Sequence, residues 1–478
     1  MITSDRMAQV DENAAALGVP RKQLMESSGN ATARVVREHA DPGDRVCVVA
    51  GRGNNGGDAF VAVRFLDDYE TETFLLGREE TISTDIAREN WDALQDAEYT
   101  TEEVRDSANF DLPDCDVVVD AMLGTGVTGE LREPEATAAE AINDSDATVV
   151  AVDVPSGVDA DTGQADGVAV EADHVVTFHD EKPGLDSLDA TVTVADIGIP
   201  ATAELFVERG DLRVLGRDPS AHKGDFGEVL VVGGGPYTGA PALAGQAAMR
   251  AGADLVHLAC PEQVAREVQG YEEGLIVHGL AGDLLQPEHV DELLDRALDV
   301  DCVVVGPGLG RADGTLDAVR EFLSSFDGTA VVDADALRVV PDVDTEADLL
   351  CTPHQGELVD MGGETADDWR ERRKLVESFA ADLGQTLLVK GPYDVVSDGE
   401  TTRVNRTGNP GMTVGGTGDV LAGICGALAS TQEPVTAGAV AAHVNGKAGD
   451  AVVDEQGYGL LASDLLDGIP RAMWGDRE

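Results

Sequence analysis

The chain has little positive charge, and lysine is especially scarce. Its 478 residues include 33 Lys and Arg against 91 Asp and Glu, which gives a formal net charge of −58. Such a chain lacks the basic field that general binding to nucleic acid or to an anionic membrane requires, so we expect neither partner. Six residues are lysine, namely Lys22, Lys182, Lys223, Lys374, Lys390 and Lys447.

Acidity spread along the whole chain, with so little lysine, is typical of proteins from a cytoplasm with molar salt. There the Debye length falls to about 3 Å, and hydrated carboxylates keep the protein dissolved. We therefore expect a halophilic microbe as the source. The alternative is an unusually acidic protein from an ordinary cytoplasm, since net charge bears on solubility rather than on fold.

The sequence also contains no C-x-x-C pair and no long apolar run, and we expect no signal peptide. The six cysteines form no C-x-x-C pair, and most lie in apolar runs such as residues 46–49, which predicts buried thiols in a reducing compartment. No apolar run approaches the length of about 18 residues that a membrane helix needs. Asp5 and Arg6 stand where a signal peptide would be apolar. We expect a cytoplasmic protein, and the sequence leaves open whether it forms a homo-oligomer.

The chain nevertheless has the composition of a folded protein, because 42% of its residues are hydrophobic. At about 100–200 residues per domain, its length predicts two or three domains. Residues 198–218 contain no apolar strand-like run, so we expect a domain boundary near residue 215. Elsewhere, short β-branched runs alternate with helix-like segments, which predicts an α/β fold with parallel strands buried on both faces. The runs are residues 46–50, 117–119, 149–152, 229–232, 303–305, 330–332 and 387–389.

A glycine- and asparagine-rich loop follows the first of these strands. It reads Gly51-Arg52-Gly53-Asn54-Asn55-Gly56-Gly57-Asp58. Glycines allow backbone N–H groups to approach an anion, and a helix predicted from about Ala59 would add its positive N-terminus. The alternative is an ordinary turn between strand and helix. Asn-Asn-Gly-Gly-Asp is more than a turn needs, which favours a binding loop.

Two aspartates stand at the ends of the next two strands. Asp120 follows residues 117–119, and Asp153 follows residues 149–152 with Ser156 close behind. The carboxyl ends of parallel strands line the crevice where open α/β sheets bind ligands. Either aspartate alone could simply cap a turn. Together they suit proton removal and return at one carbon, and with an amide oxygen and a hydroxyl they suit a metal cation.

These motifs, together with residues 24–29 and 182–185, resemble the NAD(P)H-hydrate epimerase domain over residues 1–212. The resemblance implies a Rossmann-like βαβ domain that interconverts the R and S forms of hydrated NADH and NADPH at C6 of the nicotinamide ring. It implies that Asn55, Asp120 and Ser156 hold a potassium ion and that Asp153 acts on the substrate. The implied substrate-binding residues are Asn54, Asn55, Gly56, Gly57, Asp58, Gly124, Thr125, Gly126, Val127, Thr128, Gly129, Glu130 and Asp153.

The second half ends in a segment suited to phosphoryl transfer. Gly415-Gly416-Thr417-Gly418-Asp419 precedes a predicted helix at residues 420–429. Successive N–H groups at a helix start can hold a transferring phosphoryl group, and Asp419 can take a proton from an attacking hydroxyl. The alternative is an aspartate that merely caps the helix.

With this segment, several motifs resemble the NAD(P)H-hydrate dehydratase branch of the ribokinase-like α/β sandwich fold over residues 218–475. They are residues 222–224, 238–241, 306–310, 333–335, 352–357, 390–391 and 408–419. The resemblance implies use of ADP with Mg²⁺ and AMP as a product. It implies that the hydrate contacts Ala240, Gly308 or Gly310, His354 and Asp419, and that the nucleotide contacts Lys390, Gly391, Pro392, Tyr393, Asp394 and Gly418. Gly233–Gly235 and Asn445 depart from the family's pattern, where Ser and His are expected.

The sequence thus predicts a bifunctional enzyme, an isomerase fused to a lyase. A ribokinase-like kinase of a vitamin alcohol or sugar is the first alternative, although a simple kinase has no reason to carry the Asn-Asn-Gly-Gly-Asp domain. A non-catalytic nucleotide sensor is the second. Acidic residues are absent from residues 47–57 and 229–253, and Asp419 is the sole acid in residues 401–432. We expect anionic ligands to bind at these three stretches.

Overall fold

The computed structural model describes residues 1–126 and 129–475. The chain divides into two compact units, Met1–Ala203 and Glu204–Glu478. Both are α/β layers around a largely parallel sheet, so the predicted fold class is confirmed. Val127 and Thr128, predicted to bind substrate, lie outside the described residues. In the described part of the chain, no helix combines the length and apolar character needed to cross a membrane.

The first unit contains a seven-stranded parallel sheet with helices on both faces. Its strand order is β3-β2-β1-β4-β5-β6-β7. The strands are β1 (Arg45–Ala50), β2 (Glu70–Leu76), β3 (Thr100–Val104), β4 (Val117–Ala121), β5 (Thr148–Val152), β6 (His174–Phe178) and β7 (Thr191–Ala195). The helices are α1 (Ser4–Ala16), α2 (Arg21–His39), α3 (Asn54–Arg64), α4 (Asp85–Asp96) and α5 (Glu135–Asn143), and a short helix α6 (Thr202–Leu205) follows at the division.

The second unit contains a nine-stranded sheet in the order β10-β9-β8-β11-β12-β13-β14-β15-β16, with β15 and β16 antiparallel to their neighbours. The strands are β8 (Glu228–Val232), β9 (Leu255–Pro261), β10 (Ile276–Leu280), β11 (Cys302–Val305), β12 (Thr329–Val332), β13 (Asp348–Cys351), β14 (Thr386–Val389), β15 (Asp394–Ser397) and β16 (Thr402–Asn405). The helices are α7 (Gly239–Arg250), α8 (Glu262–Gln269), α9 (Val290–Ala297), α10 (Asp313–Ser325), α11 (Gln355–Asp360), α12 (Trp369–Leu383), α13 (Thr417–Ala429), α14 (Pro434–Gln456) and α15 (Ala462–Trp474).

The apolar strands divide their side chains between two cores. In β1, Val46 and Val48 enter one core of the first unit, while Cys47 and Val49 enter the core on the opposite face. Because successive side chains of a strand point to opposite faces, a strand covered on both sides must be apolar at every position. This explains why the strands appear in the sequence as continuous rather than alternating apolar runs.

The division lies earlier in the chain than the boundary expected near residue 215. The backbone N–H of Val207 donates to the carbonyl of Val404 on β16, at 3.0 Å. Val207 and Leu215 are both buried in a core of the second unit. Residues 204–215 therefore pack as part of that unit although they form no strand run of their own.

The two helices that follow the glycine-rich motifs, α3 and α13, both begin earlier than predicted. Helix α3 starts at Asn54 rather than near Ala59, and α13 starts at Thr417 rather than at residue 420. The segments Asn55-Gly56-Gly57 and Gly418-Asp419 therefore lie in the first turns of these helices and not in the preceding loops. Glycine is required there by close packing, because a Cβ on Gly56 would lie 2.2 Å from the carbonyl oxygen of Gly51.

We predict that Gly51→Ala destabilises the first unit by about 1–3 kcal/mol, the usual cost of an overpacked core. A Cβ at residue 51 would lie 1.9 Å from the carbonyl oxygen of Met122, which is backbone and cannot swing away. Gly53→Ala is the matched control, since a Cβ there meets nothing within 4 Å. Thermal unfolding of both variants checks this, and equal melting temperatures would contradict it.

Candidate active sites

The first candidate site lies where the strand order of the first sheet reverses. Strand β1 pairs with β2 on one side and with β4 on the other, and the loops after β1 and β4 diverge from this point. Such switch points form the ligand crevice of open α/β sheets. The loops are joined by a hydrogen bond of 3.0 Å from the N–H of Gly51 to the carbonyl of Ala121.

Oxygen atoms from three segments converge at this crevice. The amide of Asn55 donates to the carbonyl of Leu123 at 2.9 Å, and its own Oδ1 is buried with no hydrogen-bond partner among residues 1–126 and 129–475. The hydroxyl of Ser156 donates to Asp120 Oδ1 at 2.6 Å and accepts from the N–H of Leu123 at 3.0 Å. The structure therefore brings together the three residues predicted to hold potassium, and it leaves one buried oxygen unused.

Asp120 is fully buried at the centre of this oxygen cluster. Burial raises the pKa of Asp120 to about 6, although hydrogen bonds from the hydroxyl and N–H of Ser156 and the N–H of Met122 lower it. A buried carboxylate with no positive side chain bonded to it is stabilised by a bound cation. The donor set of amide oxygen, carboxylate, hydroxyl and backbone carbonyl thus fits a hard cation.

Asp153 forms a buried ion pair that the sequence did not reveal. Its Oδ1 lies 2.7 Å from Nζ of Lys182, whose side chain is 0% exposed. Lys182 also donates to the hydroxyl of Thr177 at 2.8 Å and to the carbonyl of Phe178 at 3.0 Å. Asp153 has a left-handed backbone with φ +67, a conformation that costs a non-glycine residue about 1–3 kcal/mol. The ion pair and a hydrogen bond of 3.1 Å from the hydroxyl of Thr177 fix the position of the carboxylate.

Two more carboxyl groups act electrostatically on this pair. Burial raises the pKa of Asp58 well above its ordinary value, and the charges of Asp153 and Asp11 raise it further. Burial also raises the pKa of Asp11 to about 6, while Arg21 lowers it. Two carboxyl groups whose pKa is raised by burial thus lie near the charge of Asp153, so this site can hold a proton as well as accept one.

The other residues predicted for this site have varied environments. Asn54 accepts a hydrogen bond of 2.8 Å from the hydroxyl of Thr84, which caps α4. A Cβ on Gly124 would lie 3.4 Å from Cβ of Asn55, so that glycine lines the oxygen cluster, whereas Glu130 packs against Gly167. Gly56 and Gly57 are buried in the first turn of α3, and Thr125, Gly126 and Gly129 lie in the loop after β4.

The second candidate site also begins at a reversal of strand order, between β8 and β11. The loops after these strands are held together by a hydrogen bond of 2.9 Å from the N–H of Gly234 to the carbonyl of Pro307. Gly308 and Gly310 have positive φ angles of 74 and 76, and a Cβ on Gly308 would lie 3.3 Å from Cβ of Ala240. The residues predicted to contact the hydrate from these loops are thus neighbours.

Asp419 lies in the first turn of α13, where backbone N–H groups have no partner within the helix. Burial raises the pKa of Asp419 to about 7; Asp333 raises it further and Lys390 lowers it. A carboxyl group with this pKa changes protonation near neutral pH, as a general base must. Nζ of Lys390 would lie 3.4 Å from a Cβ on Gly418, so its ammonium is beside the same helix start.

The segment predicted to bind the nucleotide is the turn between β14 and β15. The N–H of Gly391 donates to Asp394 Oδ1 at 2.9 Å, and Asn405 donates to Asp394 Oδ2 at 2.9 Å. Burial raises the pKa of Asp394 to about 6, although those hydrogen bonds lower it. The ring of Tyr393 stacks on Trp369 with centroids 5.1 Å apart. Pro392 is exposed at the tip of the turn.

His354 has a structural contact that its predicted role did not include. Its Nδ1 accepts hydrogen bonds from the N–H groups of Gly356 and Glu357 at 3.0 and 3.1 Å, so it caps α11. The side chain remains 60% exposed. Its contact with the hydrate stays a prediction.

Comparisons with known proteins assign both units to one family. A model described as NAD(P)H-hydrate dehydratase matches residues 229–471, and a model described as YjeF-related protein N-terminus matches residues 21–184. A bifunctional NAD(P)H-hydrate repair enzyme from Methanothermobacter thermautotrophicus is 42% identical, over 98% of this chain and 94% of that protein. The chain belongs to this family of repair enzymes. A relative of the same description from Pyrobaculum aerophilum is 43% identical, over 99% of this chain and 98% of its own.

A solved structure is similar to part of this repair-family chain. It is a hypothetical protein from Streptococcus mutans, 21% identical, with a TM-score of 0.50, covering 56% of this chain and 98% of its own. At that identity the likeness bears on the fold alone.

Proposed function

We propose that this chain repairs hydrated NADH and NADPH in two steps. The first unit interconverts the R and S forms, and the second converts the S form back to NAD(P)H at the expense of ADP. One observation carries the proposal: the oxygen cluster at Asn55, Asp120 and Ser156 and the helix start at Asp419 are both intact in a single chain. Full-length similarity to repair enzymes supports the same reading.

The dehydration requires a better leaving group than hydroxide. We infer that Asp419 takes the proton of the C6 hydroxyl as its oxygen attacks the β-phosphoryl group of ADP, which releases AMP. The ring nitrogen then expels phosphate from C6, and loss of a proton from C5 restores NAD(P)H. The first N–H groups of α13 and the ammonium of Lys390 are suited to stabilise the phosphoryl group during transfer.

Magnesium fits this site as a companion of the nucleotide. Mg²⁺ in phosphoryl-transfer sites is held by one or two carboxylates together with phosphate oxygens and water. Glu357 offers such a carboxylate, with its Oε2 4.0 Å from Nζ of Lys390. Among residues 1–126 and 129–475, no three His, Cys, Asp or Glu side chains form a ready metal cage. We therefore propose that Mg²⁺ arrives with ADP; bound there, it would neutralise phosphate charge.

Epimerisation requires the hydroxyl at C6 to leave and return on the opposite face. We propose that Asp153, which is paired with Lys182, accepts a proton from incoming water, and that a protonated carboxyl such as Asp58 donates to the departing hydroxyl. Potassium fits the oxygen cluster next to these groups, where Asn55, Asp120 and Ser156 would hold it. Its charge would position anionic parts of the substrate.

The decisive assay mixes the protein with each purified epimer, ADP and Mg²⁺, and follows the absorbance of the restored NAD(P)H. We expect turnover with both epimers, slower for R, and a rate that falls as pH drops through about 7, because Asp419 must be ionised to act as base. Asp419→Ala should abolish turnover while ADP binding persists. A stable phosphorylated product without NAD(P)H would instead identify a kinase, and parallel reactions with ATP test the choice of nucleotide.

A second prediction concerns potassium in the first unit. Asn55→Leu removes the unpartnered Oδ1, so we expect a loss of at least tenfold in epimerase rate and loss of any preference for K⁺ over Na⁺. A non-catalytic readout is the difference in melting temperature between KCl and NaCl at equal ionic strength. Asn54→Leu is the control for this melting-temperature readout, because its side chain bonds Thr84 instead of the cluster. Persistence of the K⁺ preference in Asn55→Leu would refute the site.

We further propose that the protein works in the cytoplasm of an organism with high internal salt, on the strength of the net charge of −58. Self-repulsion of this size is screened only when the Debye length is short. The melting temperature should therefore rise steeply between about 0.1 M and 1 M KCl, at which the Debye length falls from about 10 to 3 Å. An unchanged melting temperature over this range would argue against the proposal.

A further inference from the structure

A buried aspartate outside the predicted sites connects three strand ends of the second unit. Asp333 follows β12 directly and is 3% exposed. Its Oδ1 accepts a hydrogen bond of 2.7 Å from the hydroxyl of Thr352, just after β13. The same oxygen accepts one of 3.0 Å from Nζ of Lys390, just after β14. Adjacent parallel strands thus supply an anion, a hydroxyl that orients it and a cation.

The backbone fixes these groups as firmly as the side chains do. The N–H of Asp333 donates to the carbonyl of Val305 at 3.0 Å, and that of Thr352 to Val332 at 3.0 Å. A Cβ on Gly306 would lie 1.9 Å from the carbonyl oxygen of Asp333, so the neighbouring loop packs directly against this residue. Asp333 therefore has little freedom to move, and neither has the ammonium that it binds.

The ammonium of Lys390 lies next to the start of α13, where the phosphoryl group is proposed to bind. It lies beside Gly418, close enough that a Cβ there would come within 3.4 Å. Burial lowers the pKa of Lys390, but the carboxylates of Asp333, Glu357 and Asp419 outweigh burial and raise it above its ordinary value. The cation therefore stays charged. Without an anchor, a flexible lysine side chain would sample many other positions.

We propose that Asp333 is a positioning residue for phosphoryl transfer: it holds the ammonium of Lys390 at the start of α13, where the β-phosphoryl group of ADP binds. This inference rests on the proposed use of ADP by the second unit. Asp333 itself touches neither substrate. The groups facing Asp419 in this arrangement are Asp333, from the end of β12, and Lys390, from the end of β14.

The test compares affinities for ADP and AMP by calorimetry, since AMP lacks the phosphoryl group that Lys390 would contact. Asp333→Asn should weaken ADP binding about tenfold or more and AMP binding less than about threefold, as expected from a misplaced charged hydrogen-bond donor. It should also move the acid limb of the pH–rate profile to lower pH, because the lost negative charge no longer raises the pKa of Asp419. Thr352→Val, which keeps the charge, should weaken ADP selectively without moving that limb.

Asp335→Asn is the matched control, two residues away and paired with Arg311 at 2.6 Å instead of with Lys390. It should leave the ratio of the two affinities unchanged. An equal loss of ADP and AMP affinity in Asp333→Asn, or no loss in either variant, would overturn the proposal. If the wild type binds ADP but restores no NAD(P)H, the proposed function fails, while the affinity ratio still decides the role of Asp333.

Discussion

A lysine ammonium bound to an aspartate at a strand end is the interaction on which each site depends. Lys182 pairs with Asp153 in the first unit, and Lys390 pairs with Asp333 in the second. Removing a charge from water costs several kcal/mol unless a partner and hydrogen bonds compensate, so each lysine needs its aspartate and its additional contacts. The other four lysines of the chain are exposed. In both sites the buried cation is a lysine, although most cations of the chain are Arg.

These enclosed pairs set the protonation of their neighbours. In each site a carboxyl group lies in low dielectric close to an ion pair, and burial raises the pKa of that group: Asp58 beside Asp153, and Asp419 beside Asp333. The neighbouring carboxyl group therefore retains affinity for a proton beside an aspartate that is paired with an ammonium. One arrangement thus supplies both an anion and a proton-exchanging group, which is what epimerisation and phosphoryl transfer require.

The sequence could predict the two sheets and the strand-end residues, because buried parallel strands read as short apolar runs and their carboxyl ends gather polar groups. It could not predict the antiparallel strands β15 and β16, which are short and mixed in composition. The pairing of Lys182 with Asp153 was equally hidden, since partners separated along the chain meet only through strand order. The scarcity of lysine was the usable signal. Lys182 and Lys390 each lie inside a recognised motif of a chain with only six lysines, which indicates a specific role for both.

The same reasoning corrects how the acid-free stretches are understood. Residues 401–432 contain Asp419 as their sole acid, which pointed to a site with its negative charge removed. Yet Asp333, at the end of β12, and Glu357, in α11, approach Lys390 from elsewhere in the chain, at 3.0 and 4.0 Å. A site that binds an anionic nucleotide therefore retains carboxylates, and it does so because they hold the cation in position. The relevant quantity is local charge after pairing, which depends on the fold and cannot be read from any single segment.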